Sequence, residues 1–228
     1  MIRLFFLLLS GVILQNVNAQ VSYGVQLTPG FSYRKSLPLS DTRIDDLIEL
    51  DLFEKGEFGY ALGGRVEFGA FSKVSFQTGV NFQNVGYRTQ REEFLISIEG
   101  TEEVGEREQV FNFQNLEIPL VLNFYQEMTA TGRIYFKMGA TILYHLKKET
   151  TEFNYIAGEL TEEVTSSLNR GVDANFGVIA GMGYEQLLGD NLQLFIEPVF
   201  HYFLRSNHEN DKFARQPYFL GVSVGLKI

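Results

Sequence analysis

Cysteine is absent from the 228 residues. That excludes a disulfide framework, a thiolate metal site and a lipid-modified cysteine as an anchor. Bases are in deficit, 19 against 28 acids, and the net charge of −9 argues against nucleic acid as a partner. Long apolar runs are also missing. Past the first twenty residues, no stretch approaches the roughly 20 apolar residues that a spanning helix needs. Proline is scarce, with five in the chain, so each one inside a periodic segment calls for a reason.

What is abundant is phenylalanine (21), tyrosine (11) and glycine (22). The aromatics favour strands, and glycine marks turns or crowded backbone. At the start, Arg3 precedes an apolar run from Leu4 to Leu14, and "VNA" at 17–19 fits the small-x-small cleavage rule. The run is too short to span a bilayer, so residues 1–19 read as a cleaved secretory signal and 20–228 as one exported domain.

Eight segments of that domain are apolar at every second position: 21–34, 58–70, 74–87, 111–125, 133–147, 171–186, 192–205 and 218–228. Each is at least as long as the 9 to 11 residues with which a tilted strand crosses a membrane. Connections after the second, fourth and sixth are short. The others, 35–57, 88–110, 148–170 and 206–217, are long or very polar, and together they carry more negative charge than the chain's net of −9, which leaves the rest of the chain near neutral. Short turns on one rim and long acidic loops on the other predict an all-β, eight-stranded antiparallel up-and-down transmembrane β-barrel, integral to an outer membrane. Residues 40–53 read equally as a capped helix or as extended chain, and "FLISI" (94–98) as a continuation of the third segment.

Period two does not say which face points inward. The apolar face is rich in Phe, Tyr and Leu. The other holds many glycines with few, mixed charges, including Arg34, Arg65, Glu67, Glu117, Lys137, Asp173, Glu185, Glu197, Arg205 and Lys227. A water-facing surface is normally crowded with Lys and Glu, whereas a narrow lumen needs small residues, and its enclosed charges must pair. The charged face is therefore expected inside and the greasy face in lipid. Arg34, Arg65, Glu67, Glu117, Lys137, Asp173, Glu185, Glu197 and Arg205 form the expected lumenal network, with Glu117 paired to Arg65 or Lys137. In "LEIPLVLNF" (116–124) Pro119 shares the face of Glu117. A barrel has no edge, so a bulge or bend is expected at Pro119, and a second at Pro198.

"NLEIPLVLNF" (115–124), "YFKMGATILY" (135–144) and "DANFGVIAGMGYE" (173–185) resemble the PorT-type outer-membrane β-barrel family over the whole mature chain. That resemblance implies an eight-stranded barrel in a Gram-negative outer membrane, some of whose relatives serve type IX secretion and gliding.

Chemistry is sparse. His145 and His201 fall on the inward face and read as hydrogen-bonding groups. His208 lies in a loop with Ser206, Glu209 and Asp211, a set that reads as ordinary polar loop residues. No metal-ligand spacing, phosphate-binding loop or nucleophile elbow is present. No catalytic residue and no cofactor is expected. The expected partners are outer-membrane lipid, lipopolysaccharide and other envelope proteins. The leading expectation is a non-enzymatic accessory of an envelope assembly. A rim-active lipid-modifying enzyme or protease and a narrow channel are the alternatives.

Overall fold

Alternation at period two builds the wall, and the described residues form eleven strands: β1 (Val21–Pro38), β2 (Glu54–Phe71), β3 (Val74–Thr89), β4 (Glu92–Ile98), β5 (Thr101–Glu127), β6 (Gly132–Ile156), β7 (Glu159–Leu168), β8 (Ala174–Leu187), β9 (Gln193–Phe203), β10 (His208–Glu209) and β11 (Phe213–Lys227). The computed structural model describes residues 21–38, 52–71, 73–98, 101–156, 158–168, 174–189, 191–204, 208–209 and 213–228. The signal segment, Asp173, Arg205, Ser206 and Asp211 lie outside these residues, as does most of the 40–53 stretch.

Eight strands close into a ring, β1-β2-β3-β5-β6-β8-β9-β11 and back to β1, every neighbour antiparallel. This is the expected up-and-down barrel. Its stagger can be followed from partner to partner. Val21 leads to Phe68, Phe76, Leu122, Met138, Ala180, Phe200 and Leu220, and the path re-enters β1 at Phe31, ten residues further along. For eight strands that stagger sets a tilt of roughly 40°. The same path shows the wall's outer face, because every residue on it is apolar.

Exposure fixes the orientation of the faces. Leu27, Met138, Ile196 and Leu220 are 48%, 51%, 48% and 56% exposed, while Arg65, Glu117 and Glu197 are 2%, 0% and 1% exposed. A water-soluble barrel would do the reverse. Around the wall, Tyr23, Tyr33 and Tyr184 are exposed toward strand ends, where aromatic girdles belong, and Tyr33 stacks on Tyr218 of the neighbouring strand.

Three of the five prolines coincide with gaps in the ladder. Between β3 and β5 the register is the same at Thr78↔Leu120 and at Asn81↔Glu117, and only the positions of Ile118 and Pro119 drop out. The β8–β9 ladder omits Glu197 and Pro198 in the same way, and β1–β11 omits Thr28 and Pro29. At Pro119 and Pro198, where a bulge or bend is expected, both sites lose pairs without a register shift, so no residue is inserted there. Proline lacks an N–H, so the loss is local, whereas an inserted residue would change the stagger of the whole closed ring. A true irregularity lies nearby, where Gln114 and Asn115 of β5 face Lys147 and His145 of β6.

β5 and β6 are 27 and 25 residues long, far beyond what crossing requires. They stay paired from Glu127↔Arg133 to Gly105↔Ile156. Above the ring, β4 takes over from β3 along β5, and β7 takes over from β8 along β6. The result is a four-stranded sheet, β4-β5-β6-β7, rising from the long-loop rim. Much of the chain expected as loops at 88–110 and 148–170 is therefore strand, and "FLISI" does continue the line of the third segment.

Candidate functional site: the filled lumen

Inward positions are the odd residues of β3 and β5, and the strand pairing carries that face around the ring. At the short-turn end this brings three acids and four bases into one connected set. Lys227 Nζ donates to Glu67 Oε2 at 2.8 Å and to Glu185. Arg133 Nε donates to Glu185 Oε2 at 2.7 Å while its guanidinium lies 3.8 Å from the Tyr125 ring. Arg65 sits centrally, 3.4 Å from Glu67, 3.9 Å from Glu185 and 3.5 Å from Glu197, with the Phe195 ring 4.0 Å beneath its guanidinium. Lys137 Nζ donates to Glu197 Oε1 at 2.7 Å. The hydroxyls of Ser75 and Tyr125 donate to Glu67, and that of Tyr135 to Glu197. Charges taken out of water demand this degree of partnering, since an unpaired one would cost several kcal/mol.

Glycine makes the room. Tyr135 pairs directly with Gly183, and Phe195 with Gly225. A Cβ on either glycine would run into the ring beside it, so the small residue on one strand accommodates the large one on the next.

Nearer the long-loop rim, Glu117 forms a separate set. It accepts from Thr141 Oγ1 at 2.9 Å, from Asn81 Nδ2 at 3.0 Å and from His201 Nδ1 at 2.9 Å. A carboxylate only accepts, so Nδ1 of His201 carries the hydrogen. The pairing of Glu117 with Arg65 or Lys137 is corrected here: both bases go to Glu197, one step closer to the short turns. Asn81 in turn accepts from Gln26 Nε2 at 3.1 Å. Between the two sets lies a cavity of about 10 Å³ lined by Gln26, Asn81, Glu117, Lys137, Glu197 and His201, among others, enough for about one water.

Above Glu117 the lumen turns apolar. Val85, Tyr87, Phe113, Leu143, Phe203 and Phe219 are buried together as one cluster. His201 meets the Phe219 ring edge-on, at 5.8 Å between centroids. Arg34 caps the cluster, its guanidinium 3.7 Å from the Tyr87 ring and paired with Glu54. His145, on the same inward face, bonds Asn115 at 2.7 Å.

Of the expected network, Arg65, Glu67, Lys137, Glu185 and Glu197 come together. Glu117 and Arg34 are inward but belong to other sets, and Asp173 and Arg205 lie outside the described residues. Lys227 completes the network from β11. Tyr125, Tyr135 and Arg133, which were not expected there, carry the same inward parity as Glu117 and Lys137, and that parity was the available signal. The lumen is also less uniformly polar than glycine and ions alone suggested, since an apolar plug fills its upper part. His208 pairs through its backbone with Arg215. Among the described residues no group of His, Cys, Asp or Glu could hold a metal ion.

From the short-turn side, a mouth of about 240 Å³ lined by Glu127, Arg133, Glu185 and Gln193 leads inward and ends at the ion network. Network and plug together leave no wide passage, as eight strands enclose a lumen that side chains can fill.

A membrane-exposed wall around such a lumen has a counterpart in sequence. Residues 16–226 match the profile of the family described as outer membrane protein beta-barrel domain. The chain belongs to that family. It is an outer-membrane β-barrel, and barrels of this kind place their short turns in the periplasm and their long connections outside. No curated protein matches it. Among solved structures, Neisserial surface protein A is 12% identical, with 90% of this chain and 96% of that one covered and a TM-score of 0.40. OprG from Pseudomonas aeruginosa is 10% identical, with 91% and 95% covered and a TM-score of 0.42. The outer membrane protease OmpT from Escherichia coli is 8% identical, with 93% and 98% covered and a TM-score of 0.39.

Proposed function

We propose that this outer-membrane barrel is a non-enzymatic accessory of an envelope assembly, of the sort that PorT-type barrels provide in type IX secretion. Its partners would be outer-membrane lipid and lipopolysaccharide at the wall and other envelope proteins at the rim. The observation that carries this reading is the division of the molecule. The lumen is closed by matched ions and an apolar plug, so little is left for it to transport. Meanwhile β5 and β6 continue far beyond the ring into a projecting sheet, which crossing a bilayer does not require. A component that works by contact needs such a surface, and a porin does not.

The test is capture of the tagged protein from native outer membrane in mild detergent, followed by identification of what accompanies it. The same companion proteins should return in stoichiometric amounts through repeated washing. Recovery of the barrel alone, in detergents that preserve other envelope complexes, would contradict the proposal.

A narrow channel is the second reading, favoured by the mouth of about 240 Å³ at the short-turn end. It requires both the network and the plug to open.

A further inference from the structure

We propose that the outer edge of β7 is a docking strip for a positively charged, extended segment of another envelope protein, which adds to the projecting sheet as a further strand. The inference rests on the assembly role proposed above and names the surface and the chemistry through which it would act.

The first observation is an open edge. β7 pairs with β6 on one side, and among the described residues nothing pairs with it on the other. Residues 158–167 are all exposed. A free edge presents a row of N–H and C=O groups that template further pairing, and proteins usually blunt it with lysine, proline or a bulge. β7 is ten residues long, "ELTEEVTSSL", with neither lysine nor proline. Its one irregularity lies opposite Asn154 and Tyr155. From Glu162↔Asn154 to Leu168↔Lys148 the register is unbroken, which leaves a regular strip of seven residues.

The second observation is the charge of that edge. Glu159, Glu162 and Glu163 are its only charged residues, and Glu152 stands on β6 opposite Val164. β4, at the opposite side of the sheet, differs: Arg107 lies 3.7 Å from its Glu92, and Arg91 adjoins its start and pairs with Glu106 at 3.0 Å. The acids of β7 keep off a second copy of the same edge, because two such strips would oppose like charges. They also keep off the anionic headgroups of the surrounding leaflet. A segment rich in Lys or Arg is the complement. Backbone pairing gives it affinity, and the half-exposed Leu160 and Val164 offer apolar contact between the charges.

The experiment uses the full chain folded in a neutral detergent and three labelled decapeptides, read by fluorescence anisotropy. One peptide alternates Lys with Thr and Val. The second carries Glu in place of each Lys. The third keeps the lysines but has proline at alternate positions, so it has the charge without the ability to pair. The Lys peptide should bind at least about tenfold more tightly than either control, with affinity falling as salt is raised. The Glu162→Lys/Glu163→Lys variant, whose changes lie on an exposed strand, should lose that preference while the same heat-dependent shift in gel mobility as the unaltered protein shows the barrel folded. Equal binding of the Lys and proline peptides would overturn strand addition, and undiminished binding by the variant would overturn the location. Concentration-dependent dimerisation abolished by the same variant would assign the edge to a second copy instead.

Native capture separates this inference from the one beneath it. Companions that return with the wild type and are lost with the variant support both. Companions that return equally with both proteins overturn the docking strip and leave the assembly role standing. No companions at all overturn the assembly role whatever the peptides do.

Discussion

The lower and upper halves of the lumen close the same tube by opposite means. Toward the short turns, Arg65, Arg133, Lys137 and Lys227 are matched with Glu67, Glu185 and Glu197. Toward the long-loop rim, Phe219, Phe203, Leu143, Val85 and Phe113 pack against one another, with cations only at the edge, Arg34 over Tyr87 and Lys148 over Phe113. The ionic half is defined by who partners whom, so losing one member strands the others. The apolar half is defined by volume, so it tolerates exchange of shape but not its removal.

The sharpest break should come from Glu197→Leu. It strands Lys137 and takes from Arg65 one of its three carboxylates, and we expect a loss of about 3–5 kcal/mol in urea titrations of the folded fraction. Adding Lys137→Met to that variant should restore much of the loss, because an apolar pair replaces a half-broken ionic one. Full loss in the double variant would show that the ionic half is not governed by partnering. Next comes the plug. Phe219→Ala should cost about 3 kcal/mol in the same titration, whereas Phe219→Leu should cost less than half of that. If alanine and leucine behave alike, volume is not what the plug supplies. Glu117→Gln leaves one accepting oxygen where there were two, so it cannot accept both from Asn81 and from the Thr141 and His201 pair, and a loss of about 1 kcal/mol is expected. Arg107→Ala, far above the membrane and bridged to Glu92 at 3.7 Å on a solvated face, should change stability by less than about 0.5 kcal/mol.

The wall was legible in the sequence, and the wiring inside it was not. Alternation from Leu116 to Phe124 has only one cause, a strand with unlike faces, and a bilayer outside makes the apolar face nearly continuous. Glycine beside mixed charge likewise marked the lumen. Partnering is different in kind. Whether Glu117 meets Lys137 or His201 depends on the height of each residue in the barrel. Height depends on the ten-residue stagger, which accumulates over eight ladders and is written in no single segment. Tyr125 and Tyr135 carried the right parity, yet no single strand shows that they reach Glu67 and Glu197, which lie on other strands. The projecting sheet was hidden for a third reason. Charged residues on both faces of 92–98, 101–110 and 148–168 erase the alternation by which strands are recognised, since above the membrane neither face is in lipid.

Planar-bilayer recording tests the central claim most directly, that matched ions and an apolar plug together seal the lumen. The purified barrel, inserted at high protein-to-lipid ratio, should give a flat baseline, and the double variant Lys137→Ala/Phe219→Ala, which thins both halves at once, should give small discrete steps. Stable ohmic steps from the unaltered protein would mean that the tube is open, and the account of its two halves would be wrong.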